Sequence, residues 1–455
     1  MNRSIAYALA ACLLLAGCST YSDKAVLIKD ALAQDQFDTA LELIEEIDDN
    51  HDRLLYLYEK GLVLHKQGLY TESNEALEAA ELLFDDLYTK SLVREAGAFI
   101  ISDQVTSFRG EAFETTYVNY FKMLNYWYLG STEGALIEAR RLNDKIKFLP
   151  DAEDSIYVES PFLQWMSGMF FEGGKERGDA DVSYRRAMTA YNAQSDWLGI
   201  APPNALACDL VANGEALGDR EARARYGDPC ASEKRFSSAT AASRVTLFLE
   251  CGYVAGKRSQ EIVIPIYKGE TDGDDYDDNK FAEDLVLRVG QPRRREKLDY
   301  VLKVALPGLP TPASAYDHVH LRATSKSDTL EQDLILAEDL NVWARRAFDV
   351  KMPGVMFRAI LRGLIKYSAK KAADKKDTTL GIAMNILGAA TERADTRNWS
   401  TLPERIFVSH LTLPEGTWKI ELEIYNPMGQ RVAWLDIPEL TVTAGQRSFL
   451  NYRIH

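Results

Sequence analysis

From Lys24 to about Gln194 the apolar residues recur at steps of three and four, with few β-branched runs and no proline beyond Pro150 and Pro161. That is the period of amphipathic helices. After a Gly- and Pro-punctuated stretch, Gly199 to Arg235, the pattern turns to β-branched and aromatic runs at Val245–Tyr253 and Glu261–Tyr267, separated by a hairpin-like spacing. Tyr300–Leu306 and His318–Ala323 read as further strands, and helical spacing returns over Leu330–Phe348, Val355–Lys375 and Thr379–Ala394. Strands around Arg405–Leu413, Trp418–Tyr425, Arg431–Ile437, Leu440–Thr443 and Arg447–Ile454 close the chain, with turn residues between them. Short strands at this spacing predict a small sandwich. The early strands are too few to stand alone, so both sets and the inserted helices are expected to form one α+β domain.

The helical half carries a recurring pattern of small and aromatic residues. Gly168 lets two helices approach, with Phe171, Tyr184 and Ala187 around it, and aligning Gly61 with Gly168 places Leu64, Gly68, Tyr70, Leu77 and Ala80 in corresponding positions. Phe37, Ala40, Ile44 and Ile47 repeat the second helix 33 residues earlier, and Tyr117–Gly130 with Glu133–Lys145 forms another pair. Such periods indicate tetratricopeptide-like units, which bury their apolar stripes only by stacking. An ordinary all-α bundle is the alternative. The expected fold is therefore α+β: residues 1–17 a signal peptide, 18–198 a tetratricopeptide-like helical-repeat domain, 199–240 a connector, and 241–455 an α+β domain with a small β-sandwich and an inserted helix pair.

Composition adds location. Arg3, the apolar run Ile5–Leu15 and the sequence Leu15-Ala16-Gly17-Cys18 have the shape of a signal peptide. The last four residues resemble the bacterial lipobox, which implies a diacylglyceryl group on Cys18. Ser19 in place of Asp favours the outer membrane. Losing residues 1–17 removes Arg3 and takes the formal charge from −15 to −16. An acidic body argues against nucleic acid as a partner. Of five cysteines, Cys208, Cys230 and Cys251 remain besides Cys12 and Cys18. In an oxidising compartment the odd count suggests one disulfide and one buried thiol. Cys208 with Cys230 is the pairing taken, since Cys251 sits in an apolar run, and the other two pairings stay open.

Candidate chemistry is sparse. Nucleophile elbows, Walker loops and metal signatures are missing from the sequence, and no cofactor is expected. His318 and His320 share one strand face, as metal ligands would, without a nearby Cys or carboxylate to complete a set. The acidic loop 272–278, with Glu283 at the twelfth place from Asp272, invites Ca²⁺ but lacks the turn glycine and reads as a solvated loop. Ten Lys or Arg against two Asp between Trp343 and Lys376 give +8, with Arg358, Arg362 and Lys366 on one helix face. That face suits a phospholipid or lipopolysaccharide surface or an acidic partner, and compensation by the acidic half is the alternative. Tyr117, Tyr120, Tyr126 and Trp127, with Arg140 and Arg141, are the candidate partner-binding residues of the helical half.

Three segments, Tyr117–Asp144, Leu247–Ile266 and Ala394–Gly416, carry a resemblance. The run Gly134-Ala135-Leu136-Ile137-Glu138-Ala139-Arg140-Arg141-Leu142-Asn143, the turn Glu250-Cys251-Gly252-Tyr253 before Lys257, and Ala394-Asp395-Thr396-Arg397-Asn398-Trp399 with Leu402-Pro403 are its pieces, joined by Leu413-Pro414-Glu415-Gly416. They resemble an uncharacterised family of Gram-negative tetratricopeptide-containing lipoproteins. Some of its members are encoded near lipoproteins that activate peptidoglycan synthases. The resemblance implies an envelope role, and the chain departs from it at Val254-Ala255-Gly256, where the family usually has proline.

The reading is an outer-membrane lipoprotein on the periplasmic side, a non-enzymatic scaffold that binds periplasmic or outer-membrane proteins through its helical repeats. A peptidoglycan- or glycan-processing enzyme, with carboxylates such as Glu138, and a Ca²⁺- or lipid-responsive binding module are the alternatives.

Overall fold

The computed structural model describes residues 21–94, 107–148, 159–231, 243–267, 298–374 and 394–455. Five helical hairpins come first: α1 (Tyr21–Ala33) with α2 (Phe37–Glu45), α3 (Arg53–Gln67) with α4 (Tyr70–Arg94), and α5 (Ala112–Tyr128) with α6 (Thr132–Phe148). Next come α7 (Pro161–Gly173) with α8 (Arg177–Leu198), and α9 (Asn204–Leu217) with α10 (Ala222–Ala231). All five turn in the same way. A single residue takes the left-handed conformation, namely Asp35, Gly68, Gly130, Lys175 or Gly218. The next N–H then reaches back five residues, as from Leu69 to the Leu64 carbonyl (2.9 Å) and from Glu176 to the Phe171 carbonyl (2.8 Å). This satisfies carbonyls that the helix end leaves open.

Helix packing repeats as well. A Cβ on Gly61 would lie 2.5 Å from the Leu77 side chain, and one on Gly168 would collide with the Tyr184 ring, so the same spacing brings α3 to α4 and α7 to α8. Gly168→Ala is therefore expected to destabilise the protein by about 1–3 kcal/mol through overpacking. Gly178→Ala, on an α8 position with nothing within 4 Å, is expected to be neutral or slightly stabilising. Urea denaturation of the two variants checks the contrast, and equal midpoints would sink it.

The described strands form three sheets. The first has the order β10-β1-β7-β6, built from β1 (Ser243–Cys251), β6 (Ile335–Asp339), β7 (Arg405–Leu413) and β10 (Arg447–Ile454). The second, β5-β4-β8-β9, comprises β4 (His318–Thr324), β5 (Thr329–Asp333), β8 (Gly416–Tyr425) and β9 (Arg431–Val442). A ribbon of β2 (Arg258–Tyr267) and β3 (Leu298–Gly308) packs Ile264, Leu302 and Val304 against Ile360 and Leu364 of the long helix α11 (Leu340–Asp374). Mixed helix and sheet make this an α+β protein.

The first sheet is the middle layer, buried on both faces. Val245, Leu247, Leu249 and Cys251 of β1 join Leu321, Trp418 and Ile420 of the second sheet, while Phe248, Val408 and Phe449 join the helical core. Helices, sheet and sheet thus stack as three layers over two cores.

Several expectations change. The run at Val245–Tyr253 does not form a hairpin with Glu261–Tyr267: β1 pairs in parallel with β10 and antiparallel with β7, and β2 pairs with β3. Leu330–Phe348 is not one helix, because residues up to Asp339 form β5 and β6, drawn into ladders with β4 and β7. Of the inserted helix pair, α11 is present, whereas Thr379–Ala394 lies almost wholly outside the described residues. The connector 199–240 carries the α9–α10 hairpin.

Candidate interaction surfaces

The aromatic helix α5 holds the main binding candidates of the sequence. Tyr117 and Tyr120 are buried, and their hydroxyls donate across the layer boundary to Glu338 (3.2 Å) and Glu250 (3.0 Å). Trp127 is half-buried edge-on to Phe449 of β10, with ring centroids 4.7 Å apart, and Tyr126 is half-buried beside Gly134. Tyr117, Tyr120 and Trp127 therefore mark an internal interface rather than an open groove, and Tyr126 packs within the α5–α6 hairpin. The face that stacked hairpins would offer to a partner is covered by the chain's own first sheet. Arg140 and Arg141 are exposed, the former paired with Glu176 and lying over Phe171, the latter paired with Glu78 (2.9 Å) and Glu138 (3.1 Å).

Buried charges fasten that interface. Glu250 of β1 accepts from Tyr120 and from Asn451 (2.8 Å), and pairs with Lys66 of α3 (2.7 Å) and Arg453 of β10 (3.6 Å). Burial pushes its carboxyl up, but the two cations outweigh burial and hold it at about 2. Glu338 accepts from Tyr117, Ser160 and Trp343 (2.7 Å); with no cation pairing it among the described residues, burial raises it to about 7. Glu111 pairs with Lys257 (2.9 Å) and Lys351 (2.7 Å), which overcome burial and hold it at about 2. Its neighbour Glu114, which accepts the Trp399 N–H at 2.9 Å, is raised to about 7 by burial and by Glu111. Trp399 itself stacks on Tyr58 at 4.4 Å, and Arg397 lies over Phe108, so the 394–402 segment is latched to the helices. Apart from Trp343 with Glu338 and Glu111 with Glu114, these partners lie more than a hundred residues apart, so spacing along the chain carries no hint of them.

The outer face of the second sheet is solvated. Its register sets Asp333, His320, Glu423 and Trp434 side by side across all four strands, with Glu331, Arg322, Glu421 and Asp436 in the next row. Opposite charges meet directly: Arg322 with Glu331 (2.7 Å), Arg431 with Glu423 (2.7 Å), and Lys419 with Glu421 (2.8 Å). His318 and His320 both face Asp333 (3.3 and 2.9 Å). Among the described residues no set of three or more His, Cys, Asp or Glu is arranged to hold a metal ion.

Other candidates fall elsewhere. Glu138 is buried against Lys122 (3.1 Å) and accepts from Asn119 (2.9 Å), an anchor between α5 and α6. Arg358 and Arg362 are half-buried on α11, and the Lys366 side chain lies outside the described ones. Cys208 is disulfide-bonded, and Cys251 is a buried free thiol that burial drives well above its usual range. The Cys230 side chain, the loop 272–278 and Cys18 lie outside the described residues. No described helix is long and apolar enough to cross a membrane.

No family model matches the chain. No curated protein matches it either. Among solved structures it is similar to one titled the crystal structure of MamA protein, at 11% identity and a TM-score of 0.28, over 46% of this chain and 90% of that one. A likeness so slight carries no argument about fold or function.

Proposed function

We propose that the chain is an outer-membrane lipoprotein, anchored through Cys18, that serves as a non-enzymatic scaffold on the periplasmic side. Its helical hairpins are of the tetratricopeptide-like class, and its partners are envelope components met on its outer surfaces. The resemblance to Gram-negative lipoproteins supports this reading.

The observation that carries it is the capping of the aromatic helix face by the first sheet. Tyr117, Tyr120, Glu250 and Glu338 join the two halves into one body. A rigid body of this kind presents surfaces in fixed relation to one another. The lipobox supports the anchor, and Tyr21, three positions past Cys18, already belongs to α1. The Tyr21 hydroxyl is buried, donating to Glu59 (2.5 Å) beside Ser400 (2.8 Å). Three residues span at most about 11 Å, so an acyl group on Cys18 would hold the start of α1 near the bilayer surface. Several buried acyl chains, at about 0.8 kcal/mol per methylene, hold such a body firmly.

The test is intact-mass analysis and fractionation of the native protein and of Cys18→Ala. The native protein is expected in the membrane fraction with an acyl mass increment, and the variant in the soluble periplasm. An unmodified Cys18 in the native protein overturns the reading.

A further inference from the structure

The outer face of the second sheet has a feature that its ion pairs do not explain. Trp434, on the edge strand β9, is 53% exposed, whereas Trp165, Trp343, Trp399 and Trp418 are buried and Trp127 and Trp197 are half-buried. An exposed indole on a polar sheet contributes nothing to either core. Two hollows of about 380 and 210 Å³ lie on this face and meet at His320. One runs beside Tyr425 and Asn426, the other is bounded by Glu423, Arg431 and Trp434. At the usual strand spacing the row from Asp333 to Trp434 is about 14 Å long.

We propose that this face binds an uncharged linear oligosaccharide, laid across the strands, stacked on Trp434 and hydrogen-bonded by Glu423, Arg431 and His320. The proposal rests on the scaffold reading and names the partner that one of its outer surfaces takes. Electrostatics choose the ligand class. Glu331, Glu423 and Glu421 are already paired with Arg322, Arg431 and Lys419, and Asp436 shares Lys419, while Asp333 lies against the His320 ring. A cationic peptide or an anionic polymer would have to break those pairs to gain its own. A neutral hydroxyl does not. Each carboxylate has about four lone-pair sites and each guanidinium five donors, so paired groups keep acceptors and donors free for adjacent hydroxyls in a fixed geometry. The electron-rich face of the indole suits the C–H face of a sugar ring. Edge-strand addition by a peptide is opposed by Pro438, which removes a donor from β9.

The experiment is calorimetry and tryptophan fluorescence on the full mature protein in detergent, with chitohexaose and cellohexaose as probes. At least one sugar is expected to bind, with a blue shift of the exposed-indole emission. Affinity should change less than twofold between 50 and 500 mM salt. Trp434→Ala is expected to weaken binding at least tenfold, and Val182→Ala, on exposed α8 surface, to leave it unchanged. Failure of both sugars to bind, equal binding by Trp434→Ala, or Trp434-dependent capture of a lysine hexapeptide instead would each overturn the proposal. Cys18 acylation is scored separately, so a negative sugar result leaves the anchor reading standing, and an unmodified Cys18 does not affect the sugar measurement.

Discussion

Glu250→Ala is expected to lower the free energy of unfolding by about 3–5 kcal/mol, because it strands two buried cations. Lys66 and Arg453 approach Glu250 from α3 and β10, and Tyr120 and Asn451 donate to it, so one carboxylate serves four side chains from three elements. The Glu250 side chain is fully buried and the Arg453 side chain 2% exposed, so water does not replace what is lost. The loss should fall on the joint between helices and sheet. Urea unfolding followed by circular dichroism and by fluorescence of the buried tryptophans is expected to coincide in the native protein and to separate in the variant. The comparison is Glu261→Ala, whose pair with Lys303 is more than half exposed on both sides; exposed pairs contribute about 0–1 kcal/mol. Similar midpoints for the two variants would reject the joint.

A mirrored pH response is expected at the same interface. Glu338 is raised to about 7, so between the ordinary carboxylate range and pH 7 the native protein binds a proton there that the unfolded chain has released. The native state therefore loses stability through this group as pH rises. Glu111, held at about 2, behaves oppositely: its contribution is present above the ordinary range and is lost as pH falls toward 2. Glu338→Gln should thus gain on the native protein by roughly 3 kcal/mol from pH 4.5 to 7, since each tenfold change in proton affinity between native and unfolded chains is worth about 1.4 kcal/mol. Glu111→Gln should fall behind by a similar amount from pH 2 to 4.5. Differences between variants are the quantity to measure. Buried His65, lowered to about 4 by burial and by Lys66, opposes Glu338 over much of the same range, whereas Glu114, raised to about 7, acts in the same direction as Glu338. A Glu338→Gln difference that does not vary with pH would reject the assignment.

Local features are legible in the sequence. Gly61 with Leu77 and Gly168 with Tyr184 mark helix approach from spacing alone, since a close contact needs a small residue opposite a large one. The strands β4, β7, β8 and β10 follow from alternation and turn residues. What stays hidden is non-local. β1 is buried on both faces, so its residues show no clean alternation that would reveal its partners, and the nearest downstream strand is not among them. Residues 330–339 carry apolar positions compatible with a helix, yet ladder bonds to β4 and β7 make them strands. The aromatics of α5 resemble a surface for a partner because an internal partner and an external one demand the same side chains. Trp434 escapes a search for motifs, though its alternation with half-buried Leu435 and buried Ile437 in the edge strand β9 places it outward.

Residues 447–454 add the last strand, in parallel beside β1, and supply Phe449, Asn451 and Arg453 to the helix-facing side. Without that strand, the helix-facing flank that Phe449, Asn451 and Arg453 cover stays open, with apolar and charged groups side by side. A chain caught without β10 exposes apolar surface and the unpaired edge of β1, which favours aggregation. Premature termination near the end would then yield a sticky intermediate rather than a slightly shortened native protein.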